Sequence, residues 1–360
     1  MDILYTLDSM KIFVFNTGGT LGMTGKPLRP AKSGEDLFAN IAIPEGIKLT
    51  FDNAEVLQDS TNITLADRIA MANRIKAAYA EHDAFVVLHG TDTLAETTSA
   101  FCMIFKQTLQ KPLFVIGSQM TKDEIGSDVP MQLANTMRVA KAFHANDIVG
   151  VYTVSISDVW DGSRLRKRAE SDFNAFHTPG RRPVARVWPR VFLGEGLRFR
   201  DDAIAANGLH LDVQFERNLA TIRVCADTPP WVLSDLVDNE RLKGAILECK
   251  GAGQIPDRTW EDDRHGSHSW INAIAEATEH GIHVGILSPF EDGRVVLDRY
   301  ELGQKAHEAG AISMESLTPD MADAKFRQAI AIYPDDPGMI QEFISTNYVG
   351  ELLPGIEETD

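Results

Sequence analysis

The chain repeats one pattern: a short apolar run, a turn rich in small polar residues, and a segment with apolar residues at helical spacing. The apolar runs lie at residues 12–15, 84–88, 113–116 and 148–154, and the helical segments lie at 65–81, 94–105 and 130–143. Strands that alternate with helices in this way usually pair in parallel through right-handed crossovers. The pattern therefore predicts an α/β fold with a parallel sheet.

The turn after the first apolar run carries chemistry-bearing groups. It reads Asn16-Thr17-Gly18-Gly19-Thr20, and its two glycines allow a sharp turn at the end of a strand. In open α/β sheets, reactions take place beyond the carboxyl ends of the strands. The Thr20 hydroxyl is therefore a candidate nucleophile, with nearby N–H groups as candidate oxyanion donors. Considered alone, this sequence is also compatible with a tight turn that has no catalytic role.

Small polar side chains also follow the other strands. Because the carboxyl ends of parallel strands meet at one edge of a sheet, we expect these side chains to form a polar pocket there. Strand ends are polar in most proteins, and this simpler interpretation applies most strongly to Ser118 and Asp158. The set is Ser60, Thr91, Asp92, Ser118 and Asp158.

A basic run at residues 161–168 stands out in an acidic chain. Most charge runs are solvated faces, and that is the default expectation here. Alternatively, the lysine of the run, Lys167, could enter the pocket, pair with Asp92 and move protons. Burial lowers the pKa of a lysine and a nearby carboxylate raises it, so the sequence leaves its protonation open.

The chain has 360 residues, which favours two domains. The alternating pattern loosens between residues 178 and 230, where prolines and glycines recur, and resumes from residue 231. We predict a large N-terminal parallel-sheet domain of the flavodoxin-like type and a smaller C-terminal α/β domain. The predicted ranges are 1–200 for the first domain, 201–230 for the connection and 231–360 for the second domain.

Composition excludes several classes of function. A formal net charge of −17 should repel nucleic acid and anionic lipid. Three scattered cysteines suggest no disulfide framework, and no signal peptide or membrane-spanning run is apparent. Nucleotide-binding glycine loops are absent, and we interpret His265 and His268 as a solvated pair rather than a metal site. The cysteines fit a reducing compartment, and we expect no metal and no nucleotide cofactor.

Two motifs resemble the signatures of the bacterial L-asparaginases. They are residues 16–22, Asn-Thr-Gly-Gly-Thr-Leu-Gly, and residues 89–97, His-Gly-Thr-Asp-Thr-Leu-Ala-Glu-Thr. Residues 59–61 resemble the short substrate-binding turn of the family. Residues 117–119, Asp161-Gly162 followed by Lys167, residues 301–307 and residues 350–352 resemble its cytoplasmic, type I branch, which implies a cytoplasmic protein. The resemblance covers essentially the whole chain and is weakest between residues 180 and 231.

The resemblance implies an amidohydrolase that converts L-asparagine to L-aspartate and ammonia without a cofactor. Thr20 would form the acyl-enzyme, and a second cluster of Thr91, Asp92 and Lys167 would handle protons. It further implies a homotetramer, built as a dimer of dimers. The substrate would be bound by Gly19, Asp59, Ser60, Thr61, Gly90, Thr91, Asp92 and Ser118.

Two departures from the family pattern keep alternatives open. Leu28 lies where the family carries a lid tyrosine, and Gln254 replaces an asparagine after the small-domain glycines. One alternative is a glutaminase-asparaginase; another is a non-catalytic regulator that binds asparagine or aspartate. The related transfer-RNA amidotransferase subunit is disfavoured by the acidic charge, and by a first strand that starts near residue 11. The resemblance also suggests a second, regulatory asparagine site.

Overall fold

The computed structural model describes residues 9–237, 241–262 and 264–354. The chain divides into two compact units, Met1–Asp212 and Val213–Asp360. The elements of the first unit are strands β1 (Met10–Gly18), β2 (Met23–Thr24), β3 (Arg29–Pro30), β4 (Ile47–Gln58), β5 (Ala84–Leu88), β6 (Pro112–Ile116), β7 (Gly150–Ser155), β8 (Asp158–Asp161), β9 (Arg166–Lys167), β10 (Phe176–His177), β11 (Ala185–Arg186) and β12 (Phe192–Leu193), with helices α1 (Gly34–Phe38), α2 (Leu65–Ala78), α3 (Leu94–Phe105), α4 (Val129–Ala145) and α5 (Asp202–Ala205).

The main sheet of this unit has eight strands within the described residues, in the order β12-β11-β8-β7-β6-β5-β1-β4. Strands β4, β1, β5, β6 and β7 pair in parallel. The remaining three strands are antiparallel. The predicted α/β class is confirmed, and the antiparallel edge is an addition to it. It arises because only Ile156 and Ser157 separate β7 from β8, and so short a connection joins antiparallel strands.

The central strands read as continuous apolar runs because both of their faces are covered. All side chains of β5 and β6 are buried, and so is almost every residue of α3. Helix α2 follows a capping box, in which the Thr64 and Asp67 side chains accept hydrogen bonds from each other's backbone N–H groups. The central elements of the unit therefore follow local sequence signals closely.

Residues 23–35 contain regular structure although glycines and prolines recur among them. Strands β2 and β3 form a short antiparallel ribbon there. Helix α1 then begins at Gly34, and its N-cap residue Ser33 forms a capping box with Asp36. Local hydrogen bonds thus organise a segment that follows the Thr20 turn directly.

The second unit is a smaller α/β domain, as predicted. Its described strands β13 (Leu219–Arg223), β14 (Gly244–Glu248), β17 (His283–Leu287) and β18 (Ile312–Ser313) form a parallel sheet in that order. No described helix of either unit has the length and apolarity needed to cross a bilayer. The other elements are the hairpin β15 (Trp260–Asp262) and β16 (Gly266–His268), and helices α6 (Trp231–Val237), α7 (Trp270–Glu279), α8 (Glu301–Glu308), α9 (Pro319–Ile332) and α10 (Pro337–Ser345).

A fully buried ion pair fastens the segment after α10 to α9. Lys325 Nζ lies 2.7 Å from Glu351 Oε1 and also donates to the carbonyls of Ile344 and Thr346. Glu351 accepts hydrogen bonds from the N–H groups of Tyr348 and Val349. Burial alone would raise the pKa of Glu351, but the charge of Lys325 and these hydrogen bonds hold the pKa below its usual value. The pair is therefore charged and fully hydrogen-bonded.

We predict that Glu351→Gln lowers the free energy of unfolding by about 3–5 kcal/mol, because it leaves a buried ammonium without its counter-charge. Urea-induced unfolding at neutral pH measures the change. Because the folded pKa of Glu351 is depressed, its contribution is present above the unfolded value of about 4.3 and is lost as pH falls through the folded pKa.

Asp323→Asn is the matched control, because Asp323 pairs with Arg327 on the same helix at a partly exposed position. It should lower the free energy of unfolding by only about 0.5 kcal/mol. Equal losses in the two variants would contradict a special role for the buried pair.

Candidate active site

Four turns of the first unit converge at one edge of the main sheet. Strands β6, β5, β1 and β4 are parallel neighbours, so their carboxyl ends lie side by side. The turns that follow them carry Ser118, Thr91, Thr20 and Ser60, respectively. The convergence that the alternating pattern predicted for these four residues is present in the structure. Asp158 instead pairs with Arg186 on the antiparallel side of the sheet.

The turns after β1 and β5 touch through their backbones. Gly18 and Gly19 have φ of 110° and 80°, a region that favours glycine. A Cβ on Gly19 would lie 2.4 Å from the Gly90 nitrogen, and a Cβ on Gly90 would lie 2.6 Å from Ser60 Oγ. Because none of these contacts leaves room for a side chain, the sequence needs glycine at both positions. This close approach sets Thr20 beside the Thr91 turn.

A cavity of about 450 Å³ opens at this edge. That volume is in the range of small-molecule sites, about 300–1,000 Å³. Its carboxylates are Asp92, Glu170 and Asp172. The lining residues are Thr20, Thr91, Asp92, Gln119, Met120, Glu170, Ser171, Asp172 and Phe173.

Lys167 reaches this cluster from the two-residue strand β9. Its Nζ lies 2.6 Å from Asp92 Oδ1, 3.1 Å from Thr91 Oγ1 and 2.7 Å from Glu170 Oε2. Burial lowers the pKa of Lys167, but the hydrogen bonds and charges of Asp92 and Glu170 outweigh burial and raise the pKa above its usual value. Lys167 is therefore an ammonium ion at neutral pH.

The basic run is not the solvated face that we expected by default. Residues 161–165 are buried, and Arg164 is fully enclosed, where its Nε donates to the Pro179 carbonyl at 3.2 Å. Asp161 pairs with Arg181. The alternative interpretation, in which Lys167 pairs with Asp92, describes the observed contact.

A buried network supports the Thr91 turn from behind. His89 Nδ1 lies 2.7 Å from the Gly90 carbonyl, and its Nε2 lies 3.0 Å from Thr97 Oγ1. Arg68 Nε donates to the same Thr97 oxygen at 3.1 Å. Complete burial lowers the pKa of His89 to about 4, so the ring is neutral. Because a carbonyl only accepts, Nδ1 carries the proton, and Nε2 accepts from Thr97.

The remaining predicted binding residues are engaged locally. Asp59 caps the turn by accepting from the N–H and hydroxyl of Thr61. Ser60 is buried against Gly90, and its carbonyl accepts from Thr93. Ser118 is fully buried and donates to the Met120 carbonyl. These side chains lie at the same sheet edge, but they are not among the residues that line the cavity.

Six of the nine lining residues were not predicted as site residues, and Gln119 and Glu170 are two of them. The Gln119 side chain places Nε2 in a buried position with no hydrogen-bond partner among the described residues. Glu170 follows Lys167 by three residues, and that spacing was the only available sign of their contact. No cluster of three or more potential metal ligands occurs within the described ranges.

Family models match almost all of the chain. Residues 11–197 match the model described as asparaginase, N-terminal, and residues 218–343 match the glutaminase/asparaginase C-terminal domain. The chain belongs to the asparaginase family. The two asparaginase domain models and the two compact units divide the chain at similar places.

Named relatives of this asparaginase-family chain fall into two groups. A glutamyl-tRNA(Gln) amidotransferase subunit of Thermococcus kodakarensis is 30% identical over 78% of this chain, which spans only 61% of that protein. L-asparaginase 1 of Escherichia coli is 27% identical, over 97% of this chain and 99% of that protein.

Solved asparaginases share the fold. The thermostable L-asparaginase from Thermococcus kodakarensis superposes with a TM-score of 0.82 at 28% identity, covering 96% of this chain and 100% of that chain. L-asparaginase I from Vibrio cholerae superposes with a TM-score of 0.83 at 25% identity, covering 96% of this chain and 99% of that chain.

We predict that Gly19→Ala destabilises the protein by about 1–3 kcal/mol more than Gly46→Ala. Both glycines have φ of 80°, so both variants place an alanine in the positive-φ region that favours glycine. Only the Cβ at position 19 meets neighbouring atoms, since nothing lies within 4 Å of a Cβ at position 46. Chemical unfolding of the two variants measures the difference. Equal destabilisation would show that the close backbone contact is not required.

Proposed function

We propose that this protein is an L-asparaginase that hydrolyses L-asparagine to L-aspartate and ammonia. The observation that carries the proposal is the shared cavity of Thr20, Thr91 and Asp92, with Lys167 in contact with the latter two. A hydroxyl, a second hydroxyl with an amine, and a carboxylate are the groups that amide hydrolysis of a free amino acid needs.

In the proposed first step, Thr20 Oγ attacks the side-chain amide carbon of asparagine. The C–N bond then breaks, ammonia leaves with the proton taken from the hydroxyl, and an ester to Thr20 remains. The Gly19 N–H already donates to the Gln58 carbonyl at 3.1 Å. We therefore assign the oxyanion chiefly to the N–H group of Thr91 rather than to that of Gly19.

In the second step, water attacks the ester carbon and the bond to Thr20 Oγ breaks. This releases aspartate and restores the hydroxyl, with one water consumed per turnover. Lys167, in its neutral form, would accept a proton from Thr91 or from the water. The same amine would return the proton to the leaving group.

Charged and polar groups at this edge of the sheet would orient the proposed substrate. The Asp92 carboxylate would bind the α-ammonium, a charge-assisted contact that favours a free amino acid over a peptide. Ser60, with Asp59, Thr61 and Gly90 around it, would take the α-carboxylate. Ser118 would hold the turn that faces the side-chain amide.

We also propose a family branch, an oligomeric state and a set of partners for this protein. We place the chain in the type I, cytoplasmic branch and expect a homotetramer without cofactor, nucleic acid or membrane partner. The Escherichia coli and Vibrio cholerae relatives, matched over nearly their whole length, support that branch. Leu28, which takes the place of a lid tyrosine, is half exposed and offers no hydroxyl.

The amidotransferase relatives favour a second candidate, a protein that supplies ammonia to an amidotransferase. Ammonia release from free asparagine without RNA supports the asparaginase proposal. Activity that requires glutamyl-tRNA supports the second candidate. A higher kcat/KM for glutamine than for asparagine would assign the protein as a glutaminase-asparaginase.

We predict that Thr20→Ala lowers ammonia release from asparagine by at least about 10³-fold, because it removes the nucleophile. Thr20→Ser is the matched control, since it keeps the hydroxyl and should retain measurable turnover. Calorimetric binding of aspartate should survive in both variants. Full activity of Thr20→Ala would refute the nucleophile, and binding without turnover by the wild type would identify a regulator.

We predict that Lys167→Met lowers kcat by at least about 10²-fold and removes a pH dependence that the wild type shows. Because the Lys167 pKa is raised, the neutral amine forms only at alkaline pH, and wild-type kcat/KM should increase across that range. Rate profiles of ammonia release against pH test both points. A wild-type profile that falls through the alkaline range would exclude Lys167 as the base.

A further inference from the structure

Glu170 lines the cavity and contacts Lys167 but, unlike Asp92, is not assigned a role in the chemistry above. Its Oε2 lies 2.7 Å from Lys167 Nζ, and its side chain is 80% exposed, compared with 45% for Asp92. Both carboxylates hold the same ammonium, and the Thr91 hydroxyl is its third partner. The contact therefore adds a second negative charge to the immediate surroundings of the base.

The number of hydrogen bonds gives Glu170 a geometric role as well. A lysine ammonium has three N–H donors, and the three partners account for all of them. A neutral amine has two N–H donors and one lone pair. Because ionised carboxylates only accept, the two N–H groups would stay on Asp92 and Glu170, and the lone pair would face the Thr91 hydroxyl. Loss of one proton thus turns the observed cluster into a base aimed at Thr91.

The other charged groups around Lys167 do not replace Glu170. Asp172 lines the same cavity, but its Oδ1 accepts from the Asn174 N–H. Arg166 and Arg168 flank Lys167 in sequence, and His177 pairs with Arg166 across the β9–β10 ribbon. On α3, which packs against β9, Glu96 is paired with Arg68, and Cys102 is buried.

Substrate binding would increase the influence of Glu170. In the proposed function, the α-ammonium of asparagine binds Asp92, so the Asp92 charge is shared between two cations. Glu170 then remains as the carboxylate that faces Lys167 alone.

We propose that Glu170 is a positioning residue for Lys167, which sets the pH above which this lysine accepts a proton and aims its lone pair at Thr91. The inference rests on the proposed function. Glu170 stabilises the ammonium, so it keeps the base protonated at neutral pH. It also fixes the orientation of the amine once the proton is lost.

Two substitutions separate charge from orientation. Glu170→Gln removes the charge but keeps an acceptor oxygen, so the rising limb of kcat/KM should move about one pH unit toward neutral while the plateau is retained. At a pH below the rising limb, the kcat/KM of Glu170→Gln should therefore be about tenfold higher than that of the wild type. Glu170→Ala should move the limb equally. It should also lower the plateau, because residue 170 then offers Lys167 no hydrogen-bond acceptor.

Asp172→Asn is the matched control, because it removes a charge from the same cavity without touching Lys167. It should move the limb by less than about a third of the Glu170→Gln shift. An equal shift would overturn the proposal in favour of a general effect of cavity charge. An unchanged limb in Glu170→Gln would overturn it outright.

A measurement without turnover keeps this inference separate from the proposed function. The rate of Lys167 acetylation by acetic anhydride, followed by mass spectrometry across pH, reports the fraction of neutral amine directly. A shift in Glu170→Gln but not in Asp172→Asn supports the inference even if asparagine is not the substrate. Absence of ammonia release from the wild type would then count against the proposed function alone.

Discussion

The site depends on one steric constraint, the contact between backbones at the ends of β1 and β5. Gly19 and Gly90 approach so closely that a methyl group at either position would overlap a neighbouring turn. Thr17 reinforces this contact, because its buried hydroxyl donates to the Leu88 carbonyl at 2.9 Å. The hydroxyl of Thr20 and the Thr91-Asp92 pair are therefore held together by main chain rather than by flexible side chains.

Charge is the second organising factor of this edge. Three carboxylates line the cavity, and Lys167 lies within hydrogen-bonding distance of two of them. Behind the same turn, complete burial outweighs the hydrogen bond to Gly90, lowers the pKa of His89 to about 4 and leaves the ring neutral. Among the described residues, Lys167 thus supplies positive charge to the cluster at the cavity, whereas the Gly90 carbonyl behind it accepts from a neutral ring.

The sequence predicted those parts of the structure that depend on local patterns. Strands β5 and β6 and helix α3 follow from the apolar runs and the helical spacing of the sequence. Features that depend on distant chain segments were missed. Arg164 is buried because the Pro179 carbonyl meets it, and Glu170 faces Lys167 because of the path of the loop after β9. The partner carbonyl has no signature in the sequence, and the three-residue spacing between Lys167 and Glu170 does not by itself determine the path of the loop.

The two threonines and the lysine of the candidate site lie on secondary-structure elements of different size. Thr20 and Thr91 follow long or central strands of the large sheet, whereas Lys167 belongs to a two-residue strand that pairs only with β10 within the described residues. Substitutions in that small ribbon could therefore change the acid–base behaviour proposed for Lys167 while leaving the Thr20 turn in place. Laboratory selection for activity at a different pH would do best to diversify residues 168–177 and to leave Lys167 and the glycine-rich turns intact.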